Sequence, residues 1–211
     1  MEVVLRGVEG LPELEAFLDI PERAAAIVLF AHGSGSSRRS PRNNYVAREL
    51  RSAGLATLLV DLLTEEEDAE HARRFEIGLL TQRLHGALEW LGREPGTREL
   101  PVGLFGASTG AAAALQLAAL APGRIGAVVS RGGRPDLAGD ESLARVRAPT
   151  LLVVGGDDAG AIELNESAYE RLRCVKEMAI VPGATHLFEE PGTLEQAARL
   201  AADWFTRHLA A

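Results

Sequence analysis

Several short stretches of this chain are apolar at nearly every position. They are Ala26–Ala31, Leu55–Val60, the run Val102–Phe105, Ile125–Ser130, Leu151–Val154 and Met178–Val181. Runs of this length, bounded by turn residues, predict strands buried on both faces of a sheet. Between them the apolar positions fall at helical spacing: Tyr45, Val46 and Leu50 from near Pro41; Ile77, Leu80, Leu84, Leu88 and Leu91 after Phe75; Ala111 to Ala114, Leu115, Leu117 and Leu120; a helix over about Glu163 to Arg173; and Leu194, Ala198, Leu200, Ala201 and Phe205 within Thr193 to Leu209. The first twenty residues differ. Val3 to Val8 is one extended stretch, and Leu14, Ala16, Leu18 and Ile20 alternate with Glu13, Glu15 and Asp19 in another. Gly10, Leu11 and Pro12 between them predict a half-exposed hairpin at a sheet edge, stopped by Pro21. Residues 61–74 are the least regular, with the acidic run Glu65 to Asp68 expected as a solvated loop, and residues 131–149 are a short connector. Strands alternating with helices, and buried on both faces, predict an α/β class with a mainly parallel, doubly wound sheet of about seven to eight strands. No repeat or linker divides the chain, so residues 1–211 are expected to form one domain.

Composition narrows this mainly by exclusion. The chain is 46% hydrophobic and 25% charged, an ordinary globular balance, and its formal net charge of −8 argues against nucleic acid or an anionic membrane surface as a partner. No apolar run approaches the ~20 residues needed to span a bilayer. The opening Met1-Glu2-Val3-Val4-Leu5-Arg6 lacks the basic and apolar regions of a secretory signal. The single cysteine, Cys174, excludes an internal disulfide and fits a reducing compartment. A cytoplasmic location is expected.

The chemistry concentrates where strands end. Val102–Phe105 runs into Gly106-Ala107-Ser108-Thr109-Gly110, and a helix begins at once. So sharp a strand–turn–helix needs glycines flanking its apex, and it lifts Ser108 clear of the sheet beside the positive end of a helix. Letters and context match the G-x-S-x-G nucleophile elbow. Two further strand ends carry Gly155-Gly156-Asp157-Asp158 and Gly183-Ala184-Thr185-His186. Function in a doubly wound sheet sits beyond the carboxyl ends of its strands. A serine, an acid and a histidine there suit acyl transfer: His186 takes the Ser108 proton, Asp158 or Asp157 orients the imidazole, and backbone N–H groups hold the oxyanion. Thr109 supplies one such N–H; the loop His32-Gly33-Ser34 supplies the other, with Ser34 as its donor. The aspartates could instead only cap the following helix.

Arg131 has two readings: its planar fork binds a substrate carboxylate, or it pairs with Asp136 or Asp158. Arg38, Arg39 and Arg42, beside the oxyanion loop, are expected as a solvated basic face, with attraction of anionic substrates as the other reading. Leu62, Leu63, Phe75 and Leu187 are candidates for an apolar wall of the substrate site. His32 is expected to fix its loop through its ring nitrogens, and His71, His85 and His208 to lie at the surface. No metal-ligand spacing is present, and the chemistry calls for neither a metal nor an organic cofactor.

Phe30-Ala31-His32-Gly33-Ser34-Gly35, the Ser108 elbow, Gly155 to Asp158 and Gly183 to His186 together resemble the α/β-hydrolases of the dienelactone-hydrolase-like group, over nearly the whole chain. The resemblance implies the α/β-hydrolase fold with the triad Ser108, Asp158 and His186; in the usual G-G-x-D pattern the second aspartate is catalytic. Members of this type occur alone or fused to phosphoribosyltransferase domains. Dienelactone hydrolases proper carry a cysteine nucleophile where this chain has Ser108, and the connector 131–149 is too short for a lipase-type lid. The expected activity is that of a serine carboxylesterase on small or short-acyl esters through an acyl-enzyme. The same triad serves thioesters, lactones and amides, and a non-catalytic scaffold used as a binding module is the alternative. A small-molecule ester is the expected partner, with no nucleic acid or membrane, for a monomer or a homodimer paired through the edge hairpin.

Overall fold

The computed structural model describes residues 1–209 and contains one eight-stranded sheet in the order β1-β2-β4-β3-β5-β6-β7-β8. The strands are β1 (Glu2–Leu5), β2 (Leu14–Asp19), β3 (Ala26–Ala31), β4 (Leu55–Val60), β5 (Val102–Ala107), β6 (Ile125–Arg131), β7 (Thr150–Gly155) and β8 (Lys176–Val181). From β4 to β8 every neighbouring pair is parallel; β1 and β2 form the antiparallel hairpin, with β2 paired to β4 and β1 at the edge. The helices are α1 (Pro41–Ser52), α2 (Glu65–Ala69), α3 (Ile77–Leu91), α4 (Thr109–Leu120), α5 (Asp140–Arg145), α6 (Ala159–Arg171) and α7 (Thr193–Leu209). This is the expected α/β-hydrolase architecture, and no lid domain is evident among the described residues. No helix among the described residues is long and apolar enough to cross a membrane.

The all-apolar strands are explained by two cores, one on each face. Successive residues of a strand point to opposite sides. Ile27, Leu29, Ala56, Leu58, Leu104, Val128 and Leu152 therefore meet α3 and α4, while Val28, Phe30, Leu59, Phe105, Val129 and Val153 meet α1 and α7. Helix α4 is buried almost all round; its run Ala111–Ala114 keeps side chains short where the helix lies on the central strands.

Three segments depart from expectation. The acidic run is helical: α2 is capped by Thr64, whose Oγ1 accepts from Glu67 N (3.2 Å) while the Glu67 carboxylate accepts from Thr64 N (3.0 Å). That reciprocal bond satisfies two otherwise orphan donors, and Glu67 also pairs with Arg83 at 2.6 Å. The connector 131–149 holds a 3₁₀ turn (Pro135–Ala138) and α5. Arg38 is no part of a solvated face. It is 5% exposed, ion-paired to Asp61 and to Glu15 (2.6 Å), and it lies over the Phe17 ring, tying the loop after β3 to the β1–β2 hairpin. Arg39 and Arg42 keep to the surface side and pair with Glu2 and Glu189.

Candidate active site

The carboxyl ends of β3, β5, β6, β7 and β8 open on one rim, where a cleft of about 330 Å³ is lined by Gly33, Ser34, Ser108, Arg131, His186 and Leu187, with α1 and Phe75 closing its sides. Ser108 sits between β5 and α4 with φ 50° and ψ −123°, a left-handed conformation that costs a non-glycine residue on the order of 1–3 kcal/mol. Only a crowded turn holds it there. A Cβ on Gly106 would lie 2.7 Å from Ala111 N, and one on Gly110 would lie 2.5 Å from the His32 carbonyl oxygen. Glycines at these two positions let β5, α4 and the loop after β3 touch. That loop lies over Ser108, since a Cβ on Gly33 would be 2.9 Å from the Ser108 Cβ.

The loop is fixed by His32, which is buried. Its Nε2 accepts from Leu62 N (3.0 Å), so its Nδ1 carries the proton and donates to the Gly33 carbonyl (2.9 Å). Burial pushes the His32 pKa below its ordinary value, keeping the ring neutral in this arrangement.

On the opposite wall, His186 Nδ1 bonds Asp158 Oδ2 at 2.8 Å. The other carboxylate oxygen, Oδ1, accepts from Ala161 N (3.3 Å) and caps α6. The capping and the histidine-orienting readings of Asp158 are therefore both realised by one side chain. Asp157 is exposed and anchored only by its backbone N–H, which donates to the Ala184 carbonyl (2.9 Å). Phe188, at φ 57°, turns the chain back into the core after His186 and leaves Leu187 half-exposed at the cleft mouth. Ser108 and His186 line the same cleft without a hydrogen bond between them among the described residues.

The two residues expected to supply the oxyanion donors are in contact, through the Thr109 side chain: Ser34 N donates to Thr109 Oγ1 at 3.0 Å. The Ser34 N–H is thus occupied. The Thr109 N–H, in the first turn of α4, has no intrahelical acceptor.

Arg131 ends β6 beside Ala107 in the sheet register and is 6% exposed. It pairs with neither expected aspartate, because Asp136 binds Arg134 (2.9 and 2.7 Å) and Asp158 binds His186. Of the proposed apolar wall, Phe75 and Leu187 line the cleft. Leu62 is instead fully buried in the core, and Leu63 lines a neighbouring recess, because the loop after β4 folds inward under His32. Ser36, Ser40 and Asn43 also line the cleft and lie outside the motif reading, while Arg42, read as part of a basic face beside the loop after β3, lines it too. The signal for them is Ser40-Pro41, an N-cap followed by a proline at the first helical position, which starts α1 on the same rim as the loop after β3. Of the other histidines, His71 and His85 are exposed, while His208 is half-buried against Trp204.

A sequence profile for the "Dienelactone hydrolase family" matches residues 14–209. The crystal structure of a dienelactone hydrolase from Anabaena variabilis is 55% identical, covers 99% of this chain and 97% of its own, and superposes with a TM-score of 0.94. Est1E from Butyrivibrio proteoclasticus, at 14% identity, shares the fold over the whole chain and 99% of its own, with a TM-score of 0.83. A Mycobacterium tuberculosis protein named "Putative phosphoribosyl transferase Rv0571c" is 57% identical over 202 residues, which are 96% of this chain and 45% of that protein. The chain therefore spans less than half the length of this curated relative.

Proposed function

The chain belongs to the dienelactone hydrolase family, and from that premise we propose that it is a serine hydrolase that cleaves small or short-acyl carboxylic esters through an acyl-enzyme. The observation that carries this reading is the 2.8 Å bond from His186 Nδ1 to Asp158 Oδ2 on the wall of the cleft that the strained Ser108 also lines. With Nδ1–H given to the carboxylate, Nε2 is left unprotonated to accept the Ser108 proton. Ser108 Oγ then attacks the ester carbonyl, the tetrahedral oxyanion takes the Thr109 N–H at the positive end of α4, and His186 returns the proton to the leaving alkoxide. Water repeats the cycle on the acyl-enzyme. The Ser34 N–H joins the oxyanion site when the developing charge outcompetes Thr109 Oγ1 for it. The open Ser108–His186 geometry suits a resting site, since such bonds tighten when substrate is bound.

The open cleft favours short chains, and nothing in the cycle requires a metal or organic cofactor. The transferase chemistry in the mycobacterial relative's name we place in the part of that protein beyond the match. The test is a fluorophosphonate probe and 4-nitrophenyl acetate, butyrate and octanoate, on the protein and on Ser108→Ala. Labelling and turnover lost in the variant, with the short esters preferred, is the expected result. Absence of both from the folded protein would move the reading to a non-catalytic binding scaffold.

A further inference from the structure

Three consecutive residues after β6 each meet a different part of the candidate triad. Gly132 lies against the His186 loop: its φ is 50°, and a Cβ there would stand 2.7 Å from the His186 carbonyl oxygen. The Arg134 N–H donates to the Ser108 carbonyl at 3.0 Å. Between them, the Gly133 carbonyl accepts from Nδ2 of Asn165, in the interior of α6, at 3.1 Å. The same nitrogen donates its second proton to the Ala161 carbonyl one turn back, at 2.8 Å. Ala161 is also the residue whose N–H the Asp158 carboxylate caps. Gly133 is packed too tightly to shift, since a Cβ on it would stand 2.6 Å from the Ala111 Cβ of α4. Asn165 is fully buried, and its two carbonyl acceptors fix which way the amide points, leaving Oδ1 without a partner among the described residues. Asparagine is a poor helix former, and a buried amide oxygen left unpaired is costly. Helix propensity and core packing therefore both speak against it here; its two donated protons are what the position gains.

We propose that Asn165 is a positioning residue for the triad: it ties α6, which carries Asp158 at its N-cap, to the loop that holds Ser108 from behind. The tie sets the span that His186 Nε2 must close to reach Ser108 Oγ, and in this the proposal rests on the serine-hydrolase reading. The topology creates the need for it. Ser108 follows β5, whereas Asp158 and His186 follow β7 and β8, so β6 stands between the nucleophile and the pair that activates it. Among the described residues no hydrogen bond joins Ser108 to His186, so the register of the two halves is held by the backbone behind them. A misplacement of about 1 Å at the reacting groups costs on the order of 100-fold in rate. Hydrogen bonds fix direction where apolar packing does not. A hydroxyl is no substitute, because serine or threonine inside a helix bonds the carbonyl four residues back and reaches no further.

Asn165→Ser keeps the local bond to Ala161 and loses the tie to Gly133. Asn165→Thr does the same with more of the side-chain volume kept, and stands in where the serine variant does not fold. Leu91→Ala is the control, a truncation of a buried leucine about 20 Å along α3 from the end beside the cleft. Urea midpoints report stability, initial rates on 4-nitrophenyl acetate give kcat and KM, and hydrogen exchange followed by NMR reads the Arg134 amide. In the Asn165 variants kcat should fall about 10- to 100-fold with KM within about threefold, while Leu91→Ala keeps its kcat at an equal or lower urea midpoint. The Arg134 amide should exchange at least about tenfold faster in the Asn165 variants than in Leu91→Ala. On Asp158→Asn, adding Asn165→Ser should cost less than about threefold more, because the group it positions is already gone. A kcat loss matched by Leu91→Ala, or one that multiplies in full on Asp158→Asn, would mean that Asn165 only supports the fold, and would overturn the proposal. Exchange needs no turnover, so an Arg134 amide unmoved in the Asn165 variants overturns the tie itself, whether or not any ester is hydrolysed. The probe and ester assays on the parent judge the serine-hydrolase reading separately.

Discussion

Asp158 performs two tasks with one carboxylate, and its two oxygens make them separable by mutation. Oδ2 holds His186 Nδ1 at 2.8 Å, and Oδ1 caps α6 through Ala161 N at 3.3 Å. Asparagine caps a helix about as well as aspartate, so Asp158→Asn keeps the cap but replaces the charge that fixes the imidazole tautomer. We predict a fall in kcat/KM of about 10⁴-fold, about 5.5 kcal/mol of transition-state stabilisation, with stability within about 1 kcal/mol of the parent. Asp158→Ala loses both tasks: the rate falls as far, and the lost cap costs a further ~0.5–2 kcal/mol of stability. Asp157→Asn is the control, since its side chain is exposed and only its backbone is anchored; it should change the rate less than threefold, the scale of a surface substitution's ~0.5 kcal/mol. Initial rates on 4-nitrophenyl acetate and urea unfolding of the three variants measure both quantities. A deep loss in Asp157→Asn, or an active Asp158→Asn, would refute the assignment. So would Asp158→Asn and Asp158→Ala proving equally unstable, because the cap would then contribute nothing.

Two further tests join the one given for Ser108. Gly110→Ala drives a Cβ to 2.5 Å from the His32 carbonyl oxygen and closer still to that of Ala31, both backbone atoms that cannot step aside. It should destabilise the protein by about 3 kcal/mol or more and distort the elbow; an unchanged urea midpoint would show that the turn is not tightly packed. His32 has its pKa held below 6.5 by burial, so the folded state binds its proton later than the unfolded chain does. Its contribution is complete above pH ~6.5 and is lost as pH falls from there towards the folded pKa, at up to about 1.4 kcal/mol per pH unit. Unfolding titrations from pH 7.5 to 5 should therefore slope less steeply in His32→Gln, other groups cancelling in the difference; identical slopes would contradict the buried neutral ring.

The chain's own pattern reaches far in this protein. Strands such as Ala26–Ala31 and Leu55–Val60 are apolar at every position because both faces of a parallel sheet are covered, and that doubling is visible without coordinates. The elbow was legible for the same kind of reason: Gly106 and Gly110 are demanded by a local turn, and a local demand is written in adjacent residues. The capping box of α2 was equally legible as Thr64 followed by Glu67 three residues on, although the acidic run drew the reading towards a loop.

What the letters could not state is which distant groups neutralise one another. Arg38, Arg42 and Arg131 look alike in sequence, yet one is buried among carboxylates of the edge hairpin, one is paired at the rim, and one is buried with no carboxylate partner among the described residues. The same limit governed the loop after β3, where the Ser34 N–H meets a threonine hydroxyl 75 positions away. Sequence alone determined the fold and the strand ends at which Ser108, Asp158 and His186 stand, because hydrophobic period and turn chemistry act over a few residues. Tertiary structure alone decided which groups pair in and around the cleft, because Coulomb interactions and desolvation depend on distances that only the closed sheet creates.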